Sequence, residues 1–348
     1  MNLSKKSPVA VWLGIGVVML MIQILLGGIT RLTGSGLSIT EWQPLLGALP
    51  PLSKQAWEQS FQKYQQIAQF KQVNSHFSLS DYQHIYFWEW LHRNWARLMG
   101  LVFIVPFLYF MIQKKIEKDM IRPLMVLFIL GGFQGLIGWI MVQSGLNDTD
   151  VRVSHIRLAI HFISALFLLC YLLWFTLKLS VPDSRRIVAP QSTRLQVFLL
   201  VLLLIQLVYG AFMAGSHAAL HAATWPDING SFVPAGLLSP DNLTCRLFYD
   251  PLVIQFVHRN LAYVIALLIV VWYFQAGKVQ TNSLLHRYRS LPLLLVLLQI
   301  TLGVIALINS PFKSSICFSL LHQLTGMVLL MTLVTAYFLS VKSVRPIH

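Results

Sequence analysis

The sequence predicts an all-α polytopic membrane protein, its eight transmembrane helices forming two tandem, pseudo-symmetric four-helix bundles. Three observations carry this. Of 348 residues, 56% are hydrophobic and only 11% charged, where a soluble domain carries about 25% charged residues. Apolar runs near 20 residues recur along the chain, each long enough to cross about 30 Å of hydrocarbon as a helix. The polar residues within those runs also repeat: His92 to His258 is 166 positions, Gln134 to Gln299 is 165 and His161 to His322 is 161.

The first run, Val9 to Ile29, follows Lys5 and Lys6. It is too long for a signal-peptide core and lacks a small-x-small cleavage site, so it reads as a retained helix. No Arg/Ser-rich transit segment precedes it, and a bacterial plasma (inner) membrane is the expected location. The other runs fall near 87–112, 121–143, 157–178, 195–215, 254–275, 291–309 and 318–340. One set of connections and ends holds Lys5, Lys6, Lys114, Lys115, Lys118, Arg122, Lys178, Arg185, Arg186, Arg194, Lys278, Arg287, Arg289, Lys342 and Arg345, fifteen of the 26 basic residues. By the positive-inside rule both termini are cytoplasmic, and the long loops near 31–86 and 216–253 face outward with the key histidines. The net charge of +14 is thereby an orientation signal. No basic patch interleaved with aromatics sits on a soluble domain, and nucleic acid is excluded as a partner.

Gln23-x-x-x-Gly27, Gln134-x-x-x-Gly138, Gln206-x-x-x-Gly210 and Gln299-x-x-x-Gly303 fall on the odd helices, and His92, His161, His258 and His322 on the even ones. His92-Arg93-Asn94 and His258-Arg259-Asn260 match across the repeat. The expected units are 1–180 and 195–348, joined by a cytoplasmic linker at 181–194. An even number of helices per unit makes the repeat parallel, with its axis along the membrane normal.

A lone histidine in a membrane helix often does no more than hydrogen-bond a neighbouring helix. Four, one per even helix and all near the outer face, point to function, because polar groups at membrane depth are costly. Facing imidazoles form a bis-histidine axial pair for heme iron, and the repeat offers His92 with His161 and His258 with His322. The glycines let a helix or a flat macrocycle approach the backbone, and the glutamines read as packing elements. Arg93, Arg97, Arg157 and Arg259 lie beside the histidines; snorkelling to headgroups and holding heme propionates both stand.

Glu89 shares a helical face with His92, three residues later. Its counterpart before His258 is Gln255, and Arg157 is matched by Phe318. The first unit keeps an acid and an extra cation where the second is neutral. One reading is a division of labour, with proton-coupled chemistry in the first unit and a redox cofactor in the second. The other is a structural pairing of Glu89 with Arg93 or Arg97. His217 and His221 have metal-ligand spacing without an evident third ligand and read as part of a wet loop. His76, His84, His155, His286 and His348 carry no assigned role. Cys170 reads as a core residue, while Cys245 and Cys317 are either bridged or free.

With these residues placed, the chain resembles the heme A synthase family over nearly its whole length. The resemblance runs through Gly27-Gly28-Ile29-Thr30-Arg31-Leu32-Thr33, Ser35-Gly36-Leu37-Ser38-Ile39-Thr40-Glu41-Trp42, Pro50-Pro51 and Glu89-x-x-His92-Arg93. It continues through Gly138-Trp139-Ile140-Met141-Val142, Ser144-Gly145-Leu146, Thr224-Trp225-Pro226, Gln255-Phe256-x-His258-Arg259, Ala262-Tyr263 and His322-Gln323. It implies an enzyme that oxidises the C8 methyl of heme O to a formyl group, giving heme A. It also implies a b-type heme on His258 and His322, substrate heme iron at His92 and His161, and a need for Glu89. Arg31, Arg93, Arg97, Arg157 and Arg259 become candidates for propionates. The implied partners are heme O, heme A, the lipid bilayer, heme O synthase and terminal oxidase assembly factors.

Two departures stand out. The first outer loop lacks the cysteine pair of some members, so thiol chemistry cannot operate there. Ala222-Ala223 also precedes Thr224-Trp225-Pro226 where an asparagine is often found, which weakens any role for that loop asparagine. The alternatives are a di-heme b-type electron-transfer cytochrome, which has no use for the Glu89/Gln255 difference, and a heme transporter or chaperone.

Overall fold

A computed structural model describes residues 7–42, 46–234, 237, 242–312 and 315–341. Lys5, Lys6, Lys342, Arg345 and His348, which entered the reading above, lie outside the described residues. Among the described residues the α-helices are α1 (Pro8–Leu32), α2 (Lys54–Tyr64), α3 (Leu79–Ile112), α4 (Lys118–Gln143), α5 (His155–Ser180), α6 (Pro190–Ser216), α7 (Leu243–Tyr249), α8 (Pro251–Gly277), α9 (Leu284–Tyr288), α10 (Ser290–Ile308) and α11 (Ser315–Ser340). No strand forms among them; one isolated bridge joins Ile228 and Ser231. Eight stretches are long and apolar enough to cross a membrane: α1, α3, α4, α5, α6, α8, α9 with α10, and α11. The protein is an all-α, multi-pass membrane protein. All three cysteines are free.

The described chain forms two compact units, Ile15–Leu169 and the remainder, with the boundaries inside α1 and α5. In the first, α3 begins at a capping box: Ser78 Oγ accepts from the Asp81 amide at 3.3 Å, and Asp81 Oδ2 accepts from the Ser78 amide at 2.9 Å. The polar stretch after α1 folds onto this end of α3. Tyr64 of α2 packs with Leu37, Ile67, Tyr82, Ile85 and Tyr86 in one buried cluster. Trp57, Phe61 and Tyr64 share a face of α2 by their spacing of four and three, and all contact Tyr82. Tyr64 Oη donates to Gln69 Oε1 at 3.0 Å and accepts from Asn74 Nδ2 at 2.8 Å. Gln69 Nε2 in turn donates to the Gly34 carbonyl at 3.2 Å. Burial pushes the Tyr64 phenol up to about 12, so it stays a donor at neutral pH. Trp95 Nε1, donating to the Met19 carbonyl at 2.9 Å, ties α3 to α1.

In the second unit, α8 starts at Asp250, whose Oδ1 accepts from the Leu252 amide at 2.9 Å, with Pro251 at the first helical position. Trp272 of α8 is fully buried and donates from Nε1 to Ser192 Oγ of α6 at 2.9 Å. Ser340 of α11 donates to Gln196 Oε1 of α6 at 2.7 Å. These buried polar pairs hold α6, α8 and α11 together in lipid, where apolar burial alone drives helix association weakly.

Candidate functional site

The histidines stand on α3 (His92), α5 (His161), α8 (His258) and α11 (His322). Each ring lies against the glycine of the preceding Gln-x-x-x-Gly element. A Cβ at Gly27 would meet His92 Nε2 at 3.3 Å, and one at Gly138 would meet His161 Cε1 at 2.9 Å. In the second unit a Cβ at Gly210 would meet His258 Cε1 at 3.3 Å, and one at Gly303 would meet His322 Cε1 at 2.8 Å. The glycines are what let imidazole rings occupy the groove between helices.

The glutamines add directional contacts. Gln134 Nε2 donates to the His161 carbonyl at 2.8 Å and lies 3.2 Å from its Nδ1, while Gln134 Oε1 accepts from Ser164 Oγ at 2.8 Å. Gln206 Nε2 donates to the His258 carbonyl at 2.9 Å and lies 3.4 Å from its Nε2. Gln299 Nε2 lies 3.3 Å from His322 Nε2, and the Gln299 carbonyl lies 3.0 Å from His322 Nδ1. The Oε1 atoms of Gln206, Gln299 and Gln23 are all buried without a partner. Gln23 differs in that, among the described residues, its amide makes no contact with the His92 ring or carbonyl.

The His258 and His322 rings are 6.4 Å apart between centroids and inclined at 76°. An imidazole nitrogen stands about 2 Å from a bound metal, and adding the reach from that nitrogen to each ring centre gives roughly the observed separation. Nδ1 of His258 is also buried with no partner. Among the described residues no three His, Cys, Asp or Glu side chains converge as a metal site. A heme brings its own equatorial nitrogens and needs only axial ligands from the protein, which suits a two-histidine groove. His92 and His161 lie within electrostatic range of each other in the first unit.

Glu89 is 2% exposed. Its Oε2 accepts from Ser38 Oγ at 2.7 Å and the Ile39 amide at 2.9 Å. Its Oε1 accepts from Arg93 Nη2 at 2.6 Å and Nε at 3.1 Å. Arg93 also donates to the carbonyls of Ile39 at 3.0 Å and Glu41 at 3.2 Å. One turn of α3 therefore grips the loop 38–41. The second unit repeats the grip with different chemistry. Gln255 Nε2 donates to the Ala222 carbonyl at 2.7 Å. Arg259 donates to the carbonyls of Thr224 (2.9 Å), Pro226 (3.0 Å) and Asp227 (2.6 Å).

The other arginines are placed differently. Arg97 donates to Asn94 Oδ1 at 2.8 Å and Arg157 to the Ile140 carbonyl at 3.0 Å. Arg31, in the last turn of α1, makes no side-chain hydrogen bond among the described residues and lies within electrostatic range of Arg152. Arg152, Ser38 and the glutamines were not singled out as site residues from sequence. The recurrence of Gln-x-x-x-Gly before each histidine-bearing helix was the available signal.

Comparison with known proteins agrees with the motif reading. Residues 10–334 match the COX15-CtaA cytochrome oxidase assembly protein family. A heme A synthase of Flavobacterium psychrophilum is 37% identical over 334 residues, covering 95% of this chain and 97% of the relative. That of Bartonella henselae is 38% identical over 329 residues, covering 93% and 90%. That of Parvibaculum lavamentivorans is 43% identical over 276 residues, covering 79% of each. The chain belongs to the COX15-CtaA family of cytochrome oxidase assembly proteins.

Proposed function

We propose that this protein is a heme A synthase that oxidises the C8 methyl of heme O by successive hydroxylations. The methyl becomes hydroxymethyl and then a geminal diol. Each step is a two-electron oxidation by an external oxidant and places one oxygen atom, from dioxygen or water, on the carbon. The diol then loses water to leave the formyl group of heme A. The observation that carries the reading is the recurrence, in both units of a family member, of two histidines each seated on a glycine. The relatives' shared name does not favour an electron-transfer cytochrome or a transporter.

The N-terminal unit, 1–180, takes the substrate, with His92 and His161 as ligands to its iron. Arg31, which has no side-chain hydrogen bond among the described residues, is the first candidate for a propionate, with Arg97 and Arg157 as further candidates; Arg93 and Arg259 act first on the loops they grip. Glu89 holds the outer loop through Ser38, Ile39 and Arg93 and, on the face it shares with His92, handles the protons released at the methyl carbon. The C-terminal unit, 195–348, holds a b-type heme on His258 and His322, which supplies electron transfer when bound. Residues 181–194 link the units on the cytoplasmic side, both termini are cytoplasmic, and the histidines lie toward the outer face of the plasma membrane. Heme O synthase and terminal oxidase assembly factors are its neighbours in biosynthesis.

The test is to express the chain in a host that makes heme O but not heme A, and to extract the hemes. Heme A in the extract supports the reading. Abundant, heme-loaded protein with heme O alone contradicts it.

A further inference from the structure

Among the described residues, three of the four histidine rings have a glutamine Nε2 within 3.4 Å, and the fourth does not. Gln134 Nε2 lies 3.2 Å from His161 Nδ1 and donates to the His161 carbonyl at 2.8 Å, and Gln134 is itself anchored through Ser164. Gln206 Nε2 lies 3.4 Å from the His258 ring and Gln299 Nε2 lies 3.3 Å from the His322 ring. The His92 ring lies against Gly27, and among the described residues no hydrogen bond reaches that ring. The equivalent Gln23 makes no side-chain hydrogen bond among the described residues, and its unpartnered Oε1, a feature that Gln206 and Gln299 share, does not reach His92. The repeat therefore treats its two ligand pairs unequally: both members are held in the C-terminal unit and one in the N-terminal unit.

Outer partners that fix an imidazole's orientation strengthen its hold on a metal, and removing them typically costs about 10–100-fold in affinity. A resident cofactor is served by two fixed ligands. A heme that must arrive as substrate and depart as product needs one ligand that lets go. We infer that His161 is the fixed axial ligand of the N-terminal site and His92 the exchangeable one. Gln134 is the positioning residue that creates the difference. The inference rests on the reading that the N-terminal unit takes heme O, and goes beyond it in assigning unequal parts to the two histidines.

The test uses the full-length protein, purified from a host that lacks heme O and titrated with heme O in detergent. Heme b content reports that each variant is folded. His92→Gly is expected to retain heme O within about threefold of wild-type affinity and to bind carbon monoxide at that heme when reduced. His161→Gly and Gln134→Ala are expected to weaken heme O binding by about tenfold or more. Gln23→Ala leaves both the affinity and the optical spectrum unchanged. Equal losses in His92→Gly and His161→Gly, or equal effects of Gln23→Ala and Gln134→Ala, overturn the inference while leaving the proposed function standing. A wild-type protein that takes up no heme O overturns both.

Discussion

Gly303 lies so close beneath His322 that a Cβ there would stand 2.8 Å from Cε1, a distance side chains do not tolerate. Gly303→Ala must therefore push the imidazole or α11 away from its place. The expected result is a several-fold loss of heme b per chain, read from the optical spectrum of the purified protein. Gly210→Ala, at 3.3 Å from His258 Cε1, is expected to be milder. The same order should hold in the first unit, with Gly138→Ala (2.9 Å) worse than Gly27→Ala (3.3 Å) for heme O uptake.

Glu89→Gln removes the charge that Arg93 pairs with and places an amide donor among donors from Ser38, Ile39 and Arg93. Breaking a buried ion pair from one side costs about 3–5 kcal/mol. Conversion of heme O should fall at least tenfold. The Ile39 amide should also lose protection in hydrogen–deuterium exchange. Lost conversion with unchanged Ile39 protection would leave proton handling as the sole role of Glu89, and wild-type conversion would remove that role.

Arg259→Ala frees three backbone carbonyls in the loop 224–227. Leaving such groups unpaired costs about 1–3 kcal/mol each where water cannot reach them. Limited proteolysis should cut this loop faster in the variant than in the wild type, while His258 and His322 keep their heme.

The Tyr64 phenol ordinarily titrates at 10.0 and is pushed up to about 12 by burial. A raised pKa in the folded state means that folding favours the protonated form. That stabilisation is fully present below pH 10 and is lost as the pH rises through about 12. Thermal melts across this window should show the wild type losing stability more steeply than Tyr64→Phe, which has no proton to release. Equal slopes would show that Tyr64 is not what makes the outer loops alkali-sensitive.

Much of the fold was legible because a bilayer demands long apolar helices, and composition records them directly. The second run reads as starting near 87, yet α3 begins at Leu79. Its first turns carry Asp81, Gln83 and His84, which depress hydropathy without disfavouring a helix that Ser78 caps. Helix α2 was missed because it lies in a polar loop, although Trp57, Phe61 and Tyr64 at spacings of four and three were there to be read. The Glu89–Arg93 pair follows from i, i+4 geometry, whereas Ser38 and Ile39 come from about fifty residues away and no local pattern announces them. The Gln-x-x-x-Gly repeat was visible as a pattern. That each glycine seats a histidine, and that Gln23 alone lacks the contact, required the packing of neighbouring helices.

The most direct test of the two-site account is the heme content of the purified protein and four histidine variants, made in a host that supplies heme B and heme O. The account predicts that His258→Ala and His322→Ala lose heme B and keep the heme O or heme A fraction. His161→Ala should do the reverse, and His92→Ala should keep both hemes without forming heme A. Loss of heme B from the His161 variant, or loss of all heme from every variant alike, would contradict it.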